Sequence, residues 1–394
     1  MPTNQAAWLP PKHARLSVGP APYTHPEADE IVVENRAVAI NPLDWILQEV
    51  GTIIYPWVKY PAIIGTDVAG VVVEVGSAVT RFAVGDRVLG MTVGTDKDSN
   101  SSARGAFQRY SVVFERLASP IPDDLPFENA AVLPLGLSTA ACALFEADQL
   151  ALDYPTPRSA SVDASPDESS ARPSHPAAAS AAPASKGTIL VWGASTSVGS
   201  NAVQLAVAAG YDVVATASPR NFDYVRSLGA SRVFDYSSAS VVGDIVAALR
   251  GTTFMGAAAI GAGSSERCSD IVRQVDGRKR IALLSTPVSF NNVVEPGRRK
   301  RLPLTFMRIG MSQAAYFAKA GVRGVRSKFV IGSSLKNTPV STAIYADFLP
   351  QALAAKTFTV APEPLVIGHG LDQVQAAFDA NRRGVSARKA VVTL

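Results

Sequence analysis

Residues 187–218 read GTILVWGASTSVGSNAVQLAVAAGYDVVATAS, and this stretch decides the fold. A strand of the buried type, GTILVWGAS, is followed by the helical pattern SVGSNAVQLAVAAG and then by a second strand, YDVVATAS. Further strands and helices alternate at the same spacing as far as KFVIGSSL at residues 328–335. This alternation predicts an α/β fold with a doubly wound parallel sheet.

The turn Val191–Gly199 lies between a buried strand and an amphipathic helix, which is where a dinucleotide pyrophosphate binds. Small residues let the backbone approach the phosphates, and the helix N-terminus supplies free N–H groups and partial positive charge. The glycines do not have the usual G-x-G-x-x-G spacing. The strand–turn–helix context therefore predicts cofactor binding, and the alternative is a glycine turn that serves packing only.

The end of the second strand distinguishes the two nicotinamide cofactors. An NAD site has Asp or Glu there to accept from the ribose 2′-hydroxyl. Here the strand ends in Ser218-Pro219-Arg220-Asn221, and a hydroxyl, an amide and a guanidinium suit a 2′-phosphate. The turn predicts NADPH. The alternative is an ordinary turn capped by Ser218 or Asn221.

The chain upstream of this half is rich in short strands and glycine turns. The runs IVVENRAVAI, VAGVVVEVG, GDRVLGM and FQRYSVV between Glu30 and Ala118 predict an antiparallel, barrel-like or sandwich-like domain. A buried linking helix is expected within 129–149. From Pro339 a helix and the strand-like runs TFTVAPEPLVI and ARKAVVTL are expected to return to the first domain. We predict one domain from 1–135 with 339–394, and a nucleotide-binding domain at 136–338.

Residues 153–185 have a different composition from the rest of the chain. Ala, Ser and Pro dominate, and large apolar side chains are nearly missing. Such a segment cannot offset the entropy of ordering, and it is too long for a compact loop. We predict a disordered surface insertion.

The composition limits the class of protein. The 394 residues are 47% hydrophobic and 18% charged, which allows a large core. Two cysteines exclude a disulfide framework and a zinc lobe of several thiolates. We expect a cytoplasmic protein without a signal peptide or membrane span. The net charge of +4 suits an anionic cofactor without requiring nucleic acid, and the basic run 298–301 is expected to be a solvated loop.

The motif GxDxxGxVxxVGxxVxxFxxGDRV, from Gly65 to Val88, resembles the medium-chain dehydrogenase/reductase superfamily. The segments AINPLDW, VWGASTSVGSNAVQLA and TASPRNFDYVRSLGASRVFDY are similar to its fungal branch of trans-acting enoyl reductases of polyketide synthases. Zinc-free quinone oxidoreductases are wider relatives. The resemblance implies a GroES-like β-rich catalytic domain beside a Rossmann domain.

Zinc members of this superfamily carry Gly-His-Glu where this chain has Gly65-Thr66-Asp67. Thr66 cannot replace an imidazole as a zinc ligand, and no histidine is spaced with a second good ligand. We expect no metal, and we expect Asp67 to be an interior or turn carboxylate with local hydrogen-bond partners. Without a Lewis acid, hydride transfer to a polarised C=C bond is favoured over alcohol oxidation.

The resemblance also implies a set of site residues. It puts Asn41, Pro42, Leu43, Asp44 and Trp45 beside the nicotinamide, Ser195, Thr196, Ser197 and Val198 at the pyrophosphate, and Ser218, Arg220, Asn221 and Tyr236 around the 2′-phosphate. It makes Leu135, Gly136, Leu137, Ser138, Thr139, Ala140, Ala141 and Cys142 the border of the substrate, with Ser138 and Thr139 as catalytic hydroxyls. A plain packed helix is the alternative for this last stretch. Relatives often have Lys where this chain has Ile46, so a Lys proton donor is not expected.

These features favour an NADPH-dependent reductase of an enoyl thioester or enone. Its substrate would be a small molecule or carrier-bound, and its partner a polyketide synthase. A stand-alone quinone or enone reductase stays open, because pocket shape depends on loops such as 91–105 and 286–310. A non-catalytic NADPH-binding interaction protein is a further alternative. RNA binding through 298–301 is weaker, since aromatic side chains are not interleaved there.

Overall fold

A computed structural model of the protein describes residues 2–11, 14–157, 185–285 and 324–394, together with 304, 306–311 and 316. The strands are β1 (Asn4–Leu9), β2 (Ser17–Ala21), β3 (Glu30–Ala39), β4 (Ala62–Ile63), β5 (Asp67–Val75), β6 (Arg87–Met91), β7 (Tyr110–Phe114), β8 (Ala118–Pro120), β9 (Thr188–Trp192), β10 (Asp212–Ala217), β11 (Arg232–Asp235), β12 (Phe254–Ala259), β13 (Arg280–Leu283), β14 (Arg326–Phe329), β15 (Glu363–His369) and β16 (Arg388–Thr393). The helices are α1 (Pro42–Ile54), α2 (Phe127–Ala130), α3 (Pro134–Phe145), α4 (Ser197–Ala208), α5 (Phe222–Ser227), α6 (Val241–Leu249), α7 (Ser264–Val272), α8 (Val340–Thr342), α9 (Leu349–Ala354) and α10 (Val374–Arg383), with a π-helix, Ala343–Phe348, between α8 and α9.

The nucleotide-binding half is a six-stranded sheet in the order β11-β10-β9-β12-β13-β14. Each neighbouring pair in it is parallel. This confirms the doubly wound fold. The strand order reverses between β9 and β12, and the crevice at the carboxyl ends of strands at such a reversal is where ligands bind in this architecture.

The other half contains a seven-stranded sheet in the order β15-β16-β3-β5-β6-β8, with β7 paired to β3, and a three-stranded sheet β2-β1-β4. Most pairs are antiparallel, whereas β15 and β16 are parallel. The last strand, β16, lies between β15 and β3, so the final segment pairs with a strand from the first part of the chain. The domain bounds at 135 and 339 stay predictions.

The apolar stretch Phe127–Phe145 contains the linking helix α3. By length and composition it could cross a membrane, but 72% of its best window is buried inside the protein, as in a core helix. Gly136 lets α3 approach α4 closely, since a Cβ there would lie 2.5 Å from Ser197 Oγ and 3.2 Å from Asn201 Nδ2. The helix therefore joins the core of one half to that of the other.

The elements that were not predicted include β1, β2, α1 and α10. The signal for α1 is in the sequence, because Asn41 precedes Pro42 at the first helical position and Asp44 follows three residues after Asn41. The run 357–367 is extended only from Glu363 onward.

The predicted insertion lies mostly outside the described residues, which stop at 157 and resume at 185. The prediction of disorder is wrong for its first residues. Pro155 is buried, and the Thr156 N–H donates to Ala208 O at 3.3 Å. Lys186 Nζ lies 2.9 Å from Asp153 Oδ2, so an ion pair joins the two ends of the insertion.

Candidate active site

A cleft of about 550 Å³ lies at the carboxyl ends of β9, β10 and β12, between the two halves of the protein. One wall is the β9–α4 turn with the turns after β10 and β12. The opposite wall is made by Asn41, Pro42 and the segment 384–389, which ends on the first two residues of β16. It is the crevice that the topology predicts.

The β9–α4 turn forms a tightly packed backbone cradle in which two positions require glycine. Gly193 has φ +82°, and a Cβ there would lie 2.7 Å from Ile260 O. A Cβ on Gly199 would lie 2.7 Å from Ala194 Cα. Thr196 caps α4, because its Oγ1 accepts from the Gly199 N–H at 3.0 Å. The first-turn N–H groups of α4 have no intrahelical acceptor, so the cradle fits a pyrophosphate.

Three of the four residues predicted at the pyrophosphate line the cleft: Ser195, Thr196 and Ser197. Val198 does not line it. The Ser197 hydroxyl is turned toward α3 and is buried without a hydrogen-bond partner among the described residues. Backbone groups of this turn therefore offer more to a phosphate than the Ser197 side chain does.

The four residues predicted around the 2′-phosphate come together at one end of the cleft: Ser218, Arg220, Asn221 and Tyr236. Ser218 Oγ and Tyr236 Oη are 3.1 Å apart. Arg220 is exposed and makes no ion pair with any residue in the described ranges. None of the described residues lining the cleft is Asp or Glu. This end offers an unneutralised guanidinium and hydroxyls to an anion.

The residues predicted beside the nicotinamide divide into two groups. Asn41 and Pro42 line the cleft, whereas Leu43, Asp44 and Trp45 do not. Trp45 is buried, and its Nε1–H donates to Asn381 Oδ1 at 3.1 Å. Asp44 is buried in the first turn of α1, and its Oδ2 accepts from the Asn41 N–H at 2.7 Å. The side chains of Asp44 and Trp45 therefore hold the start of α1 in place, and with it Asn41 at the helix cap.

Asp44 has an unusual electrostatic environment. Its Oδ1 is buried and has no hydrogen-bond partner among the described residues. Burial raises its pKa from 3.8 to about 8, the Asn41 N–H lowers that pKa, and the nearby Asp67 carboxylate raises it. Burial therefore favours the protonated form of the Asp44 carboxyl group.

Asp67 has long-range partners, so the expectation of local ones is wrong. Its Oδ1 accepts from the Leu135 N–H at 2.6 Å, and its Oδ2 accepts from Asn41 Nδ2 at 2.7 Å. Lys389 Nζ also donates to Asp67 Oδ2, and it donates to Val132 O at 3.0 Å. Both charged groups are buried, at 0% and 3% side-chain exposure. The carboxylate of the Gly65-Thr66-Asp67 stretch is thus one half of a buried ion pair.

The stretch predicted to border the substrate lies on α3, and none of its residues lines the cofactor cleft. Ser138 is fully buried, with its Oγ 2.7 Å from Tyr345 Oη. That phenol donates to Pro134 O at 3.1 Å, and burial raises its pKa. The prediction that Ser138 is an available hydroxyl is therefore wrong. Thr139 is half-buried beside Gly332, which follows β14.

The wall formed by residues 384–389 was not predicted. Gly384 ends α10 with φ +94°, and Ala387 has φ +51° just before β16. Asn221 Nδ2 donates to Ser386 Oγ at 3.3 Å across the cleft. Ile260, Gly261 and Ala262, at the end of β12, were also missed. The dense polar run RRGVSARK was the available signal, because it falls between a helix and a strand of the returning segment.

No group of three or more His, Cys, Asp or Glu residues in the described part of the chain could hold a metal ion. Near Asn41, the carboxylate of Asp67 already forms an ion pair with the ammonium group of Lys389. A divalent cation there would be repelled by Lys389. The donor set does not fit a metal centre.

Comparison with known proteins agrees with this architecture. Residues 27–123 match the alcohol dehydrogenase GroES-like domain. The chain is 48% identical to dehydrogenase pigH of Monascus ruber, with 100% of both chains covered. It is 38% identical to trans-enoyl reductase himH of Aspergillus japonicus, over 99% of this chain and 97% of that protein. The crystal structure of CurK enoyl reductase has the same fold, with a TM-score of 0.66 at 17% identity over 99% of each chain.

Full-length identity well above 30% to fungal enzymes shows the family. Both halves of the chain contribute to the match, and they contain the mixed GroES-like sheet and the parallel Rossmann sheet described above. The chain belongs to the medium-chain dehydrogenase/reductase superfamily, among the fungal dehydrogenases and trans-enoyl reductases.

Proposed function

We propose that this protein is an NADPH-dependent reductase of an activated C=C bond in an enoyl thioester or enone. We further propose that it acts in trans on an intermediate carried by a fungal polyketide synthase. Relatives named trans-enoyl reductases that match 99% of the chain support the reaction class. The observation that carries the cofactor choice is the acid-free end of the cleft at Arg220.

The preference for NADPH rests on charge. A 2′-phosphate beside Arg220 gains a charge-assisted hydrogen bond, and the hydroxyls of Ser218 and Tyr236 can donate to its oxygens. A carboxylate at this position would repel the phosphate. Because Arg220 has no ion-pair partner among the described residues, no existing bond has to be broken when the anion binds.

The preference for C=C reduction rests on the cluster around Asp67. Thr66 Oγ1 accepts from the Asn41 amide at 2.9 Å, and Asp67 is matched by Lys389. The polar atoms where zinc relatives have ligands are thus committed to one another. Alcohol oxidation needs an alkoxide to be stabilised, whereas an enolate is stabilised by hydrogen bonds alone.

NADPH bound in this cleft would supply the hydride. The turn at Gly193 and the first turn of α4 would hold its pyrophosphate, and Asn41 would face its nicotinamide end. Thr139 is the hydroxyl proposed to assist protonation of the product, since Ser138 is committed to Tyr345. Ile46 is half-buried and apolar, so water and cofactor hydroxyls supply the remaining proton donors.

The cofactor proposal is tested by titrating the protein with NADPH and NADH, with Arg220→Ala as the variant. One charged contact corresponds to about tenfold to hundredfold in affinity, so the variant should lose this factor for NADPH and almost none for NADH. Arg226→Ala is the matched control, because Arg226 is exposed on the next helix and paired with Asp223 at 2.9 Å. Equal affinities for the two cofactors in the unmodified protein would refute the proposal.

The reaction is tested by NADPH oxidation with three acceptors: an enoyl thioester, an enone and a quinone. Turnover of the thioester with a reduced C=C product supports the proposed function. Turnover of the quinone alone would instead support a stand-alone quinone reductase. Tight NADPH binding without turnover of any acceptor, including a carrier-bound enoyl thioester, would support the non-catalytic alternative.

A further inference from the structure

We infer that Asp67 is a positioning residue: it fixes which end of the Asn41 amide faces the cofactor cleft. The inference rests on the proposed function, because the orientation of the Asn41 amide affects turnover only if NADPH binds with its nicotinamide at this end of the cleft. Asp67 itself does not line the cleft, whereas Asn41 and Lys389 both do.

The chemistry of a carboxylate determines the amide orientation. An ionised carboxylate only accepts hydrogen bonds, so the atom of Asn41 that lies 2.7 Å from Asp67 Oδ2 is the amide nitrogen. The second N–H of that nitrogen is directed to Thr66 Oγ1 at 2.9 Å. With both N–H groups committed, the amide has only its oxygen left for a molecule in the cleft. An acceptor there suits the N–H of the nicotinamide carboxamide.

The described hydrogen-bond partners of Asp67 are all donors. Lys389 donates to the same oxygen that binds the amide, and Leu135 donates from the N-terminal turn of α3 to the other oxygen. The three donors, Asn41, Leu135 and Lys389, lie at the cap of α1, in α3 and in β16. The carboxylate is fully buried, so water does not compete for it. Asp67 therefore connects α3, the helix proposed to border the substrate, with the wall of the cleft that contains Lys389.

Replacing Asp67 with asparagine removes the preference for one orientation of the Asn41 amide. In Asp67→Asn one carboxylate oxygen becomes an N–H₂ group, so the side chain can offer a donor or an acceptor to the Asn41 amide, most freely when Lys389→Met also removes the ammonium that uses the same oxygen. The flipped amide presents N–H groups to the cleft, where they face the N–H groups of the carboxamide. Misplacement of a bound reactant on this scale lowers turnover by about a hundredfold.

The test compares kcat, NADPH affinity and melting temperature in four proteins: unmodified, Asn41→Ala, Asp67→Asn and the double variant. If Asp67 acts through Asn41, Asp67→Asn lowers kcat about tenfold to hundredfold in the unmodified background and leaves it unchanged in the Asn41→Ala background. Independent, multiplicative losses would overturn the inference. The same four proteins are also compared by their NADPH affinity, measured by fluorescence, which does not require turnover.

A second pair of variants separates positioning from stability. Asp67→Asn leaves the Lys389 charge buried without a partner and should lower the melting temperature by about 5 °C or more. Asp67→Asn combined with Lys389→Met removes both charges, so the melting temperature should recover while kcat stays low. Recovery of both quantities would mean that Asp67 has only a structural role. If Asp67→Asn does not fold, the neutral double variant still gives the kcat comparison.

Glu30→Gln is the matched control. Glu30 is 1% exposed and forms a buried ion pair with Arg104 in the same domain, and neither residue lines the cleft. It should lower the melting temperature without changing kcat. If the unmodified protein oxidises no NADPH with any acceptor, the proposed function fails, and the inference about Asp67 is then decided by non-additive NADPH affinities alone.

Discussion

Replacing Asp44 with asparagine should change how the free energy of unfolding depends on pH. Burial raises the pKa of Asp44 from 3.8 to about 8 in the folded protein. Between these two values the folded protein holds a proton at Asp44 that the unfolded chain has lost. The contribution of this group to stability is therefore fully present below pH 3.8 and is lost as the pH rises through about 8.

The magnitude follows from proton linkage. A difference of one bound proton changes the free energy of unfolding by about 1.4 kcal/mol per pH unit. Across the whole interval from 3.8 to about 8, the loss amounts to about 6 kcal/mol. The asparagine of the variant has no proton to lose, and its oxygen can still accept from the Asn41 N–H. The stability of Asp44→Asn should thus fall with pH less steeply than that of the unmodified protein, by about 1.4 kcal/mol per pH unit.

Urea unfolding at a series of pH values within this interval measures the two slopes. Tryptophan fluorescence is a suitable signal, because Trp8, Trp45 and Trp57 lie in the domain that contains Asp44, and only Trp192 lies elsewhere. Equal slopes for variant and unmodified protein would show that Asp44 is ionised when folded and would refute the reasoning.

Asp124→Asn is the control for this experiment. An ion pair with Lys356 at 2.8 Å lowers the pKa of Asp124, which is on the surface. Any stability linked to Asp124 is present above its unfolded pKa and lost as the pH falls below it. Its removal should therefore leave the slope between 3.8 and about 8 unchanged.

Three further substitutions and one deletion have defined outcomes. Thr139→Val should slow NADPH turnover about tenfold to hundredfold at unchanged NADPH affinity, the effect of one lost hydrogen bond to developing charge; complete loss would indicate a dedicated proton donor. Ser138→Ala should act on the melting temperature instead, since it leaves a buried phenol with one partner fewer, and a loss of kcat with unchanged melting temperature would contradict this. Gly199→Ala should abolish NADPH binding, because its Cβ would overlap the backbone of the β9–α4 turn, 2.7 Å from Ala194 Cα; retained affinity in a titration would disprove the cradle. Deletion of residues 158–184 with a short closing linker should leave NADPH affinity and melting temperature within error, because loop closure entropy grows slowly with length; a large loss of either would show that the segment packs on the body.

The parallel sheet was predictable because its information is local. Each strand and helix of that half has its own pattern of hydrophobic residues in the sequence. The acid-free turn at Arg220 comes directly after the end of β10. Helix α1 has local signals too, yet its apolar run of Leu, Trp and Ile is short and does not by itself distinguish a helix from a strand. Strands β1 and β2 are short elements whose pairing partners decide their conformation.

The far wall of the site and the partners of Asp67 could not be predicted in the same way. Lys389 is separated from Asp67 by 322 residues, and only the pairing of β16 beside β3 brings the two together. Ser138 looked available for a similar reason, since the Tyr345 phenol that occupies it lies 207 residues further on. Long-range partners of a polar side chain follow from topology, and a single sequence does not contain that topology explicitly.

The position of β16 inside its sheet also has a consequence for biosynthesis. The strands of the parallel sheet are all made by the time residue 329 has been synthesised, whereas β3 receives its β16 partner only with residues 388–393. The half that contains β3 is thus the first to be started and the last to be completed. By then the Rossmann half can already have folded. Until then, the part of β3 that pairs with β16 has open backbone groups, a template for wrong strand pairing. Nascent or truncated chains lacking residues 388–393 should therefore depend on chaperones to remain unaggregated, even though their nucleotide-binding half is complete.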